Sequence, residues 1–255
     1  MFVTLRNHTH HVAIAGADDA PTLVLLHSLG TSSAVWQAQV AVLAASHRLV
    51  CPDFRGHGLS EVSADPLSIA TLAEDVLALL AWLGVDHFAL AGISLGGVVA
   101  QMVGAAAGDK LTGLALFDSY VVTANPTMWH NRAATVRDAG LASIAEGVLS
   151  LWMTPGARPT PEGRGLARML AATPDEGYAA GCDALAQADN RARVGAIRAP
   201  TVVACGSLDR AAPLEASRAL AALIPAARVE VLEGAAHIPL LHHAAQSTAI
   251  VRSIL

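Results

Sequence analysis

An α/β fold, built on a mostly parallel, doubly wound sheet with a helical insertion, is predicted by three observations. Short apolar runs alternate with helix-patterned segments as far as Phe117; the stretch from Ser119 to Arg198 has helical pattern without intervening strands; and two further strand-helix units follow it. Such alternation implies right-handed crossovers and a parallel sheet, with the ligand site at the carboxyl ends of the strands. The expected division is residues 1–118 for the first part of a core, 119–198 for a helical lid and 199–255 for the second part of the core.

Thr22 to His27 is the first clear strand, and Ser33 to Ala45 has helical character. Arg48 to Pro52 is the next strand, and it runs into the turn-rich Asp53-Phe54-Arg55-Gly56-His57-Gly58. Ser68 to Leu83 reads as a helix, with Ser68 near its start as a cap and Gly84 at its end. Phe88 to Ala91 is a strand, Leu95 to Ala107 a helix and Leu111 to Phe117 a further strand. Thr154 to Gly163, rich in proline and glycine, divides the helical insertion. The closing block is Thr201 to Cys205, Pro213 to Leu223, Arg228 to Leu232 and Leu240 to Leu255. An insertion that leaves a strand's carboxyl end lies over the ligand site, so residues 119–198 are expected to shape a pocket.

Bulk composition removes several function classes. A chain of 255 residues, 53% of them hydrophobic, can bury one large core. A net charge of -5 without any lysine or arginine cluster lacks the basic face that nucleic acid requires. The three cysteines, Cys51, Cys182 and Cys205, are too far apart for a C-x-x-C site and suit a reducing compartment. Met1 to His11 contain no continuous apolar core, so no secretory leader is expected and a cytoplasmic location is. Phe88 to Gly108 is uncharged and long enough to span a bilayer, yet Gly92, Ser94, Gly96 and Gly97 in its middle mark a buried strand turning into a buried helix. No membrane partner follows from it.

Gly92-Ile93-Ser94-Leu95-Gly96 carries the chemistry. A serine between glycines at a tight strand-to-helix turn is the layout of a nucleophile elbow, where larger neighbours would collide with the strand and helix. A serine hydroxyl needs a base, and the base needs a carboxylate to orient it and stabilise its cation. Asp209 stands just past the strand ending at Cys205, and His237 just past the strand ending at Leu232. The order Ser94, Asp209, His237, with each member at a strand's carboxyl end, is that of the α/β-hydrolase fold. Asp118, at the end of the strand before the insertion, is a second possible acid, and Asp209 has an alternative use as a helix cap. The oxyanion hole is expected from the backbone N–H groups of Leu95 and of Leu29 in the His27-Ser28-Leu29-Gly30 loop. His8, His10 and His11 have no acidic or cysteine partner in metal-ligand spacing and read as a strand edge, so no metal is expected.

Nearly the whole chain resembles the 3-oxoadipate enol-lactonase family, cofactor-free α/β-hydrolases of bacterial aromatic catabolism. The shared fold motifs are His27-Ser28-Leu29-Gly30, Asp53 to Ser60 and Gly92 to Gly97. More specific are Pro126-Thr127-Met128-Trp129, Arg132, Val136-Arg137 and Gly140 in the insertion, then Val148-Leu149, Trp152, Asp175-Glu176-Gly177-Tyr178, Cys182 and Ala188-Asp189. The chain departs from the family at Asp118, where an asparagine or other small polar residue is common, and near His242, where a glutamate is common. The resemblance implies hydrolysis of a small enol-lactone bearing a carboxylate. Arg132 or Arg137 would pair that carboxylate, with Trp129, one turn from Arg132, packing over the ring. Two other functions fit the same fold: a broad carboxylesterase or carbon-carbon bond hydrolase with the same three residues, and a ligand-binding receptor with little turnover. Oligomeric state is not legible in the sequence.

Overall fold

The structure, a computed structural model, describes residues 1–225 and 227–255. Eight strands form one sheet: β1 (Phe2–Leu5), β2 (His8–Ala15), β3 (Thr22–Leu26), β4 (Arg48–Pro52), β5 (Phe88–Ile93), β6 (Leu111–Phe117), β7 (Thr201–Gly206) and β8 (Ala227–Leu232), in the spatial order β1-β2-β4-β3-β5-β6-β7-β8. Only the pairings of β1 with β2 and of β2 with β4 are antiparallel; the rest are parallel. β3 and β5 pair from Thr22 opposite Phe88 to Leu26 opposite Gly92, and every residue of β5 and of β7 is buried. That two-sided burial is why these strands read as unbroken apolar runs.

Helices α1 (Gln37–Leu43), α2 (Ile69–Trp82) and α3 (Leu95–Ala107) connect the first strands, and α9 (Leu214–Ala221), α10 (Pro239–His242) and α11 (Ala244–Arg252) belong to the last block. Helix α2 starts where Ser68 accepts the Thr71 N–H at 3.0 Å and stops before Gly84, whose φ of +66° only glycine takes readily. The expected single helix from Leu240 is instead two, because His243 adopts φ -115° and ψ 40° between α10 and α11. Across this break the His242 imidazole meets the Thr160 hydroxyl at 3.2 Å. The segment from Phe88 to Gly108 divides into β5 and α3, and among the described residues no helix is long and apolar enough to cross a membrane.

Between β6 and β7 the chain runs through α4 (Pro126–Ala139), α5 (Ala145–Trp152), α6 (Pro161–Ala172), α7 (Asp175–Ala186) and α8 (Arg191–Val194). Helices α4 and α6 begin with proline at the first turn, capped by Asn125 onto the Met128 N–H and by Thr160 onto the Gly163 N–H. Asn190 fastens the far end of this segment to α3, donating to the Val98 carbonyl at 2.9 Å and to Gln101 Oε1 at 3.2 Å. Leu23, Leu25, Leu26, Leu90, Ile93 and Phe117 fill the centre of the sheet, and Trp36 meets Phe117 edge-on at 5.9 Å.

Candidate active site

The turn from β5 into α3 sets Ser94 at φ 53° and ψ -117°. Such a conformation for a non-glycine residue persists only where its surroundings enforce it. Here a Cβ on Gly92 would stand 2.3 Å from the Gly96 carbonyl oxygen, and one on Gly96 would stand 2.3 Å from that of Leu26, so neither position admits a side chain. The Ser94 N–H is held by the Phe117 carbonyl at 2.9 Å, and the Ser94 carbonyl accepts from Val98 N–H and the Ser119 hydroxyl. Its own side chain is left free to face the strand ends.

His237 brings the three predicted residues together. Its Nε2 lies 2.9 Å from Ser94 Oγ, and its Nδ1 lies 2.8 Å from Asp209 Oδ2. Asp209 Oδ1 accepts the N–H groups of Ala211 at 2.7 Å and Ala212 at 3.2 Å, so one residue both caps a turn and faces the histidine. Burial, the largest influence on the Asp209 carboxyl, raises its pKa, but His237 and the two N–H groups outweigh it and hold the carboxyl below its ordinary value. The helical segment supports the histidine loop: Leu151 and Trp152 of α5 offer carbonyls to the N–H groups of His237 and Ile238, and Arg210 donates to the Ser150 carbonyl at 2.8 Å.

Leu95 opens α3, so its N–H has no acceptor within the helix. Leu29 lies buried in the loop after β3, under α7; its Cδ1 stands 2.4 Å from where a Cβ on Gly181 would be. This loop is held by a scaffold that the sequence showed only as a glycine-rich turn. His27 donates from Nδ1 to the Ser28 carbonyl at 2.8 Å and accepts the Phe54 N–H on Nε2 at 2.9 Å, which settles its tautomer. Asp53 accepts from the N–H groups of Ser33 and Leu59 and pairs with His11 at 2.8 Å, while Arg55 grips Asp75 of α2 with two bonds of 2.6 and 2.7 Å. Burial drives His57, beside His27, down to a pKa of about 3.

The two candidate arginines part ways. Arg137 is engaged by Glu176 at 2.7 Å and Asp183 at 2.8 Å, both on α7. Arg132 is half-buried, makes no ion pair among the described residues and lies 4.8 Å from the centre of the Trp129 ring. Across from it on α7 are the buried Tyr178 and Cys182, whose thiol burial pushes up to about 12 against the pull of the Arg132 charge. The three cysteines are free and buried, and His8, His10 and His11 lie on β2.

Comparison with known proteins gives the family. The model of the alpha/beta hydrolase family matches residues 23–249. 3-Oxoadipate enol-lactonase 2 of Acinetobacter baylyi is 33% identical over 238 residues, which are 92% of this chain and 89% of that protein. Among solved structures, the enol-lactonase from Burkholderia xenovorans LB400 matches with a TM-score of 0.95 at 32% identity, covering 100% of this chain and 99% of its own. A thermophilic esterase from Thermogutta terrifontis, with malate bound, matches with a TM-score of 0.91 at 28% identity over 99% and 96% of the two chains. The chain belongs to the alpha/beta hydrolase family, and within it stands with the 3-oxoadipate enol-lactonases.

Proposed function

We propose that the protein is a serine hydrolase that opens a small carboxylate-bearing enol-lactone, converting 3-oxoadipate enol-lactone to 3-oxoadipate through an acyl-enzyme on Ser94. The observation that carries this reading is the continuous chain from Ser94 Oγ through both nitrogens of His237 to Asp209, at 2.9 and 2.8 Å. The choice of substrate rests on similarity to the 3-oxoadipate enol-lactonases.

Ser94 attacks the lactone carbonyl as His237 Nε2 takes its proton, and the Asp209 carboxylate stabilises the resulting imidazolium. The N–H groups of Leu29 and Leu95 receive the oxyanion; a donor of this kind is worth about 2.7–4 kcal/mol in the transition state. Collapse expels an enolate, to which the His237 imidazolium gives its proton; the enol tautomerises to a ketone, so the leaving group demands less of the acid than an alkoxide would. His237, neutral again, then takes a proton from water as the water oxygen attacks the acyl carbonyl, and it passes that proton to Ser94 Oγ as the acyl C–O bond breaks. Every proton passes through His237, and the sequence of steps calls for no cofactor. Arg132, beside Trp129 and in no ion pair among the described residues, is the group for the substrate's carboxylate.

A spectrophotometric assay of enol-lactone loss, run beside a panel of neutral esters, tests the proposal. Loss of the lactone with a higher kcat/KM than any neutral ester is the expected result. Ester turnover without loss of the lactone would transfer the protein to the second reading, a carboxylesterase, which the similarity to the Thermogutta terrifontis esterase favours.

A further inference from the structure

Asp118 follows β6 as Asp209 follows β7, so two neighbouring strands each lead into a carboxyl group. Oxygens of the two carboxyls and Sγ of Cys205 lie within 4.8 Å of one another, all buried. The two carboxyls are unequally served. Asp209 uses both oxygens, on His237 and on the N–H groups of Ala211 and Ala212. Asp118 accepts one bond, from the Gly206 N–H at 2.8 Å, and its Oδ2 has no partner among the described residues. An asparagine would serve Gly206 equally well without a second carboxyl oxygen, so that bond alone does not account for a carboxyl here.

Two carboxyls this close in a buried place do not both ionise readily, and the one with fewer donors keeps its proton. Burial, and next the Asp209 charge, push Asp118 well above the ordinary carboxyl range, against the pull of the Gly206 N–H. The other ionisable groups nearby are Cys205, raised by burial to about 12, and Glu215 of α9, whose charge acts on Cys205. Helix α3, packed on β6, carries no ionisable side chain.

We propose that Asp118 is a second acid of this site: a neutral carboxylic acid while Asp209 carries the charge that faces His237, and the group that takes up that charge when Asp209 cannot. It is a positioning residue, acting on Ser94 only through the pair of Asp209 and His237, and its role rests on the reading of those three residues given above. When Asp209 is neutral the repulsion that adds to burial in keeping Asp118 protonated is gone, and the positive charge forming on His237 opposes the burial that remains. Asp118 then releases its proton to solvent, and its negative charge compensates the imidazolium formed as His237 takes the Ser94 proton. One negative charge remains on the pair throughout.

The test is hydrolysis of an activated aryl ester by the wild type, Asp118→Asn, Asp209→Asn and the double variant. Asp118→Asn is expected to lower kcat at least about tenfold more in the Asp209→Asn background than in the wild type, a coupling that independent residues do not show. The residual activity of Asp209→Asn should also gain an acid limb, from ionisation of Asp118, that the double variant lacks. Equal factors in both backgrounds, or identical pH profiles for single and double variants, overturn the proposal. Infrared spectra of protein labelled with heavy-isotope aspartate supply a readout independent of turnover. A carboxylic-acid carbonyl band should persist at neutral pH in the wild type and vanish in both Asp118→Asn and Asp209→Asn; its absence from the wild type overturns the proposal even if the variants unfold. Ser94→Ala separates the two levels. If it retains a covalent burst, the underlying reading falls; if it is inactive while the Asp118 factors are equal, only the role of Asp118 falls.

Discussion

Gly177 of α7 lies backbone to backbone against Gly56 in the turn after β4: a Cβ on Gly177 would stand 1.9 Å from the Gly56 carbonyl oxygen, and one on Gly56 would stand 2.5 Å from Gly177 Cα. The adjacent Tyr178 lies against Gly30, and the next turn of α7 brings Gly181 over Leu29. One face of α7 therefore covers both the Gly56 turn and the loop expected to hold the oxyanion. The glycines at these contacts are set by close approach between the helical segment and the core.

Gly177→Ala should dislodge α7, because the atom it meets is main chain and cannot rotate away. A loss of about 1–3 kcal/mol is expected from such overpacking, with a fall in kcat/KM for lactone and ester alike and faster proteolysis within residues 119–198. Gly147 of α5 and Gly165 of α6 have nothing within 4 Å of a built Cβ. Alanine there should stabilise by about 0.5–1 kcal/mol through helix propensity. Thermal denaturation of the three variants checks the signs, and an unaltered Gly177→Ala would refute the docking argument.

Ser94→Ala should remove the burst of product from an activated ester and lower kcat by a factor on the order of 10⁶, leaving the fold and ligand affinity intact. Mass spectrometry of protein quenched during turnover should find an acyl adduct on the peptide containing Ser94 in the wild type alone. An adduct that survives Ser94→Ala would place the nucleophile elsewhere.

What could be read from sequence follows the physics of each element. Arg48–Pro52 and Leu111–Phe117 have the bounds that their apolar runs suggest, since strands buried almost throughout carry few polar residues, and Leu95–Ala107 is legible as the uncharged helix packed against the sheet. The hairpin of β1 and β2 was legible only in part: His8, His10 and His11 read as strand and lie on β2, but the turn is Arg6-Asn7, at φ 49° and 65°, without the glycine that usually marks one. The break at His243 likewise has no proline or glycine to announce it. Ser94, Asp209 and His237 were legible despite their separation because each follows a strand end. The engagement of Arg137 was not, since Glu176 and Asp183 reach it only once α4 and α7 pack together.

Stability should fall with acid because of the histidines under the Leu29 loop. His57 titrates at about 3 in the folded protein, its charged form opposed first by burial and then by His27, whereas an unfolded histidine titrates near about 6.5. Between those values the unfolded chain binds a proton that the folded protein does not, so stability is present above about pH 6.5 and is lost as pH falls toward 3. His27, also lowered by burial, acts in the same direction. His57→Gln should flatten the acid limb of the unfolding free energy by up to about 1.4 kcal/mol per pH unit within that window. Parallel curves for variant and wild type would show that His57 is not held neutral.

Arg132 should discriminate by charge. Its guanidinium is free of carboxylates among the described residues while Arg137 is held by two, so the proposed pairing with a substrate's carboxylate falls to Arg132. A charge-assisted pair is worth about 1.5–3 kcal/mol, so Arg132→Ala should lower kcat/KM for the anionic lactone roughly ten- to 150-fold, mainly through KM. Neutral esters should be hydrolysed as before. Arg132→Lys should recover only part of the loss, because an ammonium offers a point charge where the guanidinium offers a planar fork. Arg137→Ala, by contrast, should affect both substrates alike, since its partners tie α4 to α7. Equal effects of Arg132→Ala on the lactone and on neutral esters would reduce Arg132 to a structural partner of Trp129.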